Sequence, residues 1–143
     1  MKYFEQAKLG RTIIVRLEPG EFVLAGIQQV IAEAGIQDGY IASGIATFDR
    51  CRLHTAVNTT LPPEFVYPEW KDSPLEVCAI QGIIADGIPH LHVVVSDENK
   101  AVAGHLEESR ILFVCEIVIQ ELLGQALTRR PVSDFVSELV EKE

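Results

Sequence analysis

The sequence has only three cysteines, and no two of them form a Cys-x-x-Cys pair. Cys51, Cys78 and Cys115 are odd in number and widely spaced. This argues against a disulfide framework and against a cysteine-based zinc site, and leaves them as small apolar residues in a reducing cytoplasm rather than catalytic thiols. Positive charge is also scarce. Twelve Lys and Arg against twenty-one Asp and Glu give a net charge of −9, which disfavours a surface built to neutralise nucleic-acid phosphates. Long apolar runs are missing as well. The longest, Ile111 to Cys115 and Glu116 to Ile119, are too short and interrupted to span a membrane. Met1 to Gln6 turns charged and polar at once, unlike a secretory leader, so a cytoplasmic protein is expected. There is no glycine-rich phosphate loop, nucleophile motif, repeat or low-complexity tract.

What is there reads as one globular domain over residues 1–143. Hydrophobic residues make up 48% of the chain and charged residues 23%, a composition able to bury a core without staples. Thr12 to Leu17 reads as a strand stopped by Glu18-Pro19-Gly20. Phe22, Val23, Ile27, Val30, Ile31 and Ala34 then recur at three- and four-residue steps, the stripe of an amphipathic helix, with Glu21 at its start and Gly35 as its carboxy-terminal cap. Gly39 to Phe48 reads as a buried strand in which Gly44 permits close packing. From Arg50 on, parity separates Cys51, Leu53, Thr55 and Val57 from Arg50, Arg52 and His54, placing His54 on a solvated or subunit-contact face. Asn58 to Ser73 reads as a long irregular connection. Phe65, Tyr67 and Trp70 anchor it, and Tyr67 and Trp70 are also candidates for a pocket wall. Pro74 to Asp86 and Ile111 to Ile119 read as further strands, and Ser133 to Val140 as a short helix capped by Ser133. About six to eight strands against one main helix, without strand–helix alternation, make an α+β domain with a mainly antiparallel sheet.

The sharpest chemical statement lies between Pro89 and His105, which hold three of the four histidines. Leu91 to Val95 is β-branched and apolar, Asp97 to Lys100 is turn material, and Ala101 to Ala103 resumes a strand, so the segment reads as a hairpin. His90 and His92 share a face. A four-residue loop puts Ser96 opposite Ala101 and His92 opposite His105, with Cβ atoms about 5 Å apart. Three imidazoles then converge. Glu116, alone in an apolar run, is costly to bury unpaired. It is either a partner for this cluster, and so a candidate catalytic base, or an ion-pair partner of an arginine such as Arg16 or Arg110.

Val15 to Glu21, Ile41 to Ile45, Pro74 to Val77 with Gly82, His90-Leu91-His92, Gly104-His105-Leu106 and Cys115-Glu116-Ile117 follow one another in an order that resembles the plant-and-prokaryote-conserved (PPC) domain, from about Thr12 to Leu122. Ala46 stands where a glycine is usual, and Ala103 replaces the first of two glycines before His105. The resemblance implies a homotrimer of α+β subunits and a metal site, zinc foremost or another divalent transition metal, with His90, His92 and His105 as ligands. Three imidazoles with a fourth position for water would suit hydrolase or lyase chemistry on a small molecule. In plants the domain accompanies AT-hook DNA-binding motifs, and prokaryotic members are often labelled DNA-binding or regulatory modules. Here Thr128-Arg129-Arg130-Pro131 lacks the glycine of an AT-hook, and the charge disfavours DNA.

Overall fold

The computed structural model describes residues 1–143. In chain order it holds β1 (Lys8–Arg16), α1 (Val23–Ala34), β2 (Gly39–Ala56), β3 (Phe65–Val66), β4 (Glu69–Ala85), β5 (Ile88–Ser96), β6 (Ala101–Leu123), β7 (Leu127–Ser133) and β8 (Val136–Glu141). All strand pairs are antiparallel. The architecture is α+β, with a six-stranded sheet in the order β1-β6-β5-β4-β2-β3 and a separate two-stranded sheet. Because β2 pairs with β6 as well as with β4, strands β2, β4, β5 and β6 close into a ring. The ring and α1 share one continuous core. Val23, Ile27 and Ile31 of the helix join Phe48, Ile80, Leu91 and Ile111 of the strands in it.

The helix follows its sequence pattern. Its buried residues recur every four positions, and Gly35 ends it at φ 67°, the left-handed region where a Cβ would be strained. Glu21 does not enter the first turn. Phe22 is the N-cap, and Glu21 instead accepts a hydrogen bond from the Glu18 amide.

The strands are longer than the sequence suggests. Gly39 to Ala56 is one strand that stays continuous through register shifts, and the hairpin arm after Lys100 runs unbroken into the apolar Ile111 segment to make a 23-residue strand. Such shifts bend a strand without ending it. The supposed loop from Asn58 to Ser73 already contains β3 and the first residues of β4, so Trp70 is a strand residue opposite Cys51, packed against the core.

The tail corrects a sequence expectation outright. Ser133 to Val140 is the turn and second arm of the β7–β8 hairpin, not a capped helix, with Ser133 opposite Val136 and Phe135 at φ 66°. The spacing of Phe135, Val136, Leu139 and Val140 fits a helix. The neighbouring strand of Leu127 to Ser133, which supplies the cross-strand hydrogen bonds, decides otherwise.

The carboxylate that β6 buries is also not the one anticipated. Glu116 is exposed and lies opposite Arg16 and Ile45, while Arg110 binds Asp49. Glu121 is the buried acid, 8% exposed and gripped by Arg11 through bonds of 2.9 and 2.7 Å. This two-point geometry is the favourable way to bury a carboxylate.

Candidate metal centre

The turn chemistry of the hairpin sets the site. Asp97 Oδ1 accepts hydrogen bonds from the Asn99 and Lys100 amides, closing a four-residue loop, and Ser96 stands opposite Ala101. This register carries His92 directly opposite His105, as the loop length predicts. The histidines face outward because their neighbours must face inward. Leu91, Val93 and Leu106 are each 1% exposed, and alternation along a strand leaves His90, His92 and His105 on the opposite surface. Gly82 on β4 lets β5 come close, since a Cβ there would lie 2.0 Å from the His90 carbonyl oxygen.

The three imidazoles converge. The Nε2 atoms of His90 and His92 are 3.2 Å apart, and one nitrogen from each of His90, His92 and His105 lies within 4.8 Å of the others. Tetrahedral zinc with Zn–N bonds of about 2.0–2.1 Å needs nitrogens separated by about 3.3 Å, so the His90–His92 pair is already spaced for it. The protonation states also suit a cation. Burial, foremost, pulls the pKa of all three rings down, His105 to about 4, and the neighbouring charges of His54, His90 and His92 add to the effect on His105. Neutral imidazoles are the ligating form. The donor set therefore fits a divalent transition metal.

His54 belongs to this site, against the sequence expectation that it faces elsewhere. The parity was right, with Leu53 fully buried and His54 outward. What local pattern does not reveal is that β6 runs between β5 and β2, so that His105 is opposite His92 on one side and His54 on the other. Gly104 permits that approach, since a Cβ there would meet the His54 carbonyl oxygen at 2.8 Å. The His54 ring stacks on His105 with centroids 4.3 Å apart, and its Nδ1 lies 2.5 Å from Glu107 Oε1. Glu107 is the extra residue of a bulge, since Arg52 pairs with Glu108 and Leu53 with Leu106. A bulge re-aims a side chain in this way.

Around the histidines stands an aromatic wall. Phe65 meets His54 edge-on at 4.5 Å, Tyr67 does so at 5.9 Å, and Phe135 packs on Phe65. Arg52 lies over the Tyr67 ring, 5.1 Å from its centroid. Of the aromatic residues singled out in the sequence, Phe65 and Tyr67 line the site and Trp70 does not. Glu116 is not brought to the histidines, being eleven residues beyond His105 on β6. Cys51 and Cys115 are fully buried, with burial pushing both thiols up to about 12, which removes them as nucleophiles.

Residues 4–123 match the Plants and Prokaryotes Conserved (PCC) domain, and the chain belongs to that family. Among solved structures it is similar to a metal-containing protein from Archaeoglobus fulgidus, at 26% identity over 99% of this chain and 100% of that one, with a TM-score of 0.85. It is also similar to a plant- and prokaryote-conserved protein from Pyrococcus horikoshii, at 28% identity over 100% and 99% of the two chains, TM-score 0.83. A Bacteroides thetaiotaomicron protein provisionally described as DNA-binding shares the fold, at 20% identity over 96% of each chain and a TM-score of 0.80. No curated protein matches the chain.

Proposed function

We propose that this is a self-associating zinc protein in which His90, His92 and His105 hold the ion and a small molecule is sensed or transformed beside it. The observation that carries the reading is the meeting of three neutral imidazoles from two strands, their nitrogens within 4.8 Å of one another. The similarity to a metal-containing archaeal protein supports it. Three protein ligands leave a fourth position open, the arrangement of catalytic rather than structural zinc. A zinc ion bound there supplies Lewis acidity, able to polarise a carbonyl and acidify water. The chain's own residues do the rest. His54 and Glu107 fix the plane of the His105 ring, and Phe65 and Tyr67 shield one side from water. A catalytic role for Glu116 requires a neighbouring subunit. Assembly as a homotrimer is supported by an apolar outer surface on β1, β2 and β6, where Ile14, Ile45 and Phe113 are 78%, 51% and 67% exposed.

Protein dialysed against a chelator, reloaded with zinc and desalted is expected to keep about one ion per subunit, and His92→Ala less than about a tenth of that. Absence of stoichiometric retention, or equal retention by the variant, overturns the reading. A second reading, DNA binding, is favoured by the description of the Bacteroides structure and opposed by the net charge of −9. It requires affinity that falls with salt, and a gel shift without complex at low salt removes it.

A further inference from the structure

Arg129 is half-buried on β7 with backbone carbonyls as its only hydrogen-bond partners. Its Nη1 donates to the Ile88 carbonyl at 3.0 Å and its Nη2 to the Ile83 carbonyl at 2.9 Å. Its neighbour Arg130 is instead paired with Glu138. A guanidinium has five N–H donors, so these two bonds fix its plane while leaving three donors for something else. A desolvated cation without a counter-ion is unfavourable, and burial lowers the Arg129 pKa accordingly.

The cavity it lines, of about 530 Å³, is shared with His90, His105, Tyr67, Phe65 and Phe135. Arg52 adds a second guanidinium, held over Tyr67. The one carboxylate in the wall, Glu107, already binds His54. A protein of net charge −9 has thus gathered two arginines around an aromatic-walled hollow next to its histidines.

We propose that this cavity seats a small molecule with a flat apolar body and an oxyanion, a carboxylate or a phosphate ester, gripped by Arg129. Both groups present a paired-oxygen edge that a fixed guanidinium binds at two points. The orientation set by the Ile83 and Ile88 carbonyls means little ordering remains to be done on binding. The body lies against Phe65, Tyr67 and Phe135. The proposal deepens the reading above, because His90 and His105 line the same cavity, but it is tested separately.

Zinc-loaded protein is titrated calorimetrically with benzoate, phenyl phosphate and neutral benzamide. One of the two anions is expected to bind with a Kd of about 1 mM or tighter, and benzamide about tenfold or more weakly. Tighter benzoate identifies the carboxylate source, and tighter phenyl phosphate the phosphate ester. Arg129→Gln is expected to weaken the anion about tenfold or more. Ser137→Asp, which adds a negative charge to the exposed wall on β8 without touching the Arg129 carbonyl bonds, is expected to weaken it too, and Arg130→Gln to leave it unchanged. Binding of neither anion, or wild-type affinity in both Arg129→Gln and Ser137→Asp, overturns the proposal. If anion binding persists, dependent on Arg129, in a protein that retains no zinc, only the zinc reading falls. Zinc retained without such binding sinks only this proposal.

Discussion

The imidazole of His54 lies flat against that of His105, ring centroids 4.3 Å apart and planes 15° from parallel. The two residues are direct cross-strand partners on β2 and β6. His105 is thus held on one side by a stacked ring and on the other by His92. Removing such an orienting partner costs a metal site about 10- to 100-fold in affinity. His54→Ala is expected to weaken zinc binding within that range, measured by competition with a chromophoric chelator, while His54→Phe keeps the stack and most of the affinity. Unchanged affinity in His54→Ala would show that the stack does not position the ligand.

Zinc bound only by the folded chain stabilises it by mass action, about 2.7 kcal/mol at one hundred times Kd. For a chain of this size that corresponds to a rise in Tm of about 5–10 °C. Scanning calorimetry should show this rise in wild type and none in His92→Ala. A rise of equal size in the variant would mean that the ion acts elsewhere.

Arg11 holds the Glu121 carboxyl at about 2, against an ordinary 4.5, chiefly through the hydrogen bonds between the two side chains. The folded chain therefore takes up this proton at lower pH than the unfolded chain. The stabilisation is complete above pH 4.5 and is lost progressively as pH falls toward 2. Glu121→Gln removes that dependence, so the gap in urea midpoint between wild type and variant should narrow between pH 5 and pH 2. A gap independent of pH would disprove the pairing.

Gly82 leaves no room for a side chain, a Cβ there being 2.0 Å from the His90 carbonyl oxygen. Gly82→Ala must push β5 off β4 where Gly82 faces Leu91, one residue from His90, whose carbonyl oxygen the new Cβ would meet. A loss of about 1–3 kcal/mol is expected from overpacking, together with reduced zinc retention because His90 moves. Urea denaturation and metal analysis of the same sample check both, and wild-type values in both would contradict the register.

Local chemistry was legible. The stripe of Val23, Ile27 and Ile31 gave the helix, and Asp97 to Lys100 gave the loop that sets His92 against His105. Both depend on residues close in sequence. His54, Glu107 and Arg129 were not legible as site residues, because what brings them there is the closure of β2 onto β6, a bulge, and the docking of a distant hairpin. Parity correctly turned His54 outward and said nothing of what it would meet. The tail failed for a related reason: a short stretch that fits a helix takes the strand conformation when an adjacent strand completes its hydrogen bonds. Glu116 was singled out for its apolar neighbours, yet alternation along β6 turns it to the outer surface, while Glu121 finds Arg11 from β1.

Strand β6 pairs with β1, β2 and β5, joining residues as far apart in sequence as Lys8 and Leu123. Domains dominated by such distant pairings fold in milliseconds to seconds, not microseconds, because loop closure precedes any reward. In a chain still emerging from the ribosome His90 and His92 are already neighbours, His105 joins them when the hairpin closes, and His54 arrives only with the ring. An ion captured early meets two ligands instead of three, and whatever affinity the unfolded chain has for it subtracts from the stabilisation of the folded one. On the proposed metal site, an ion taken up before the hairpin closes therefore stabilises the fold less than one taken up after it.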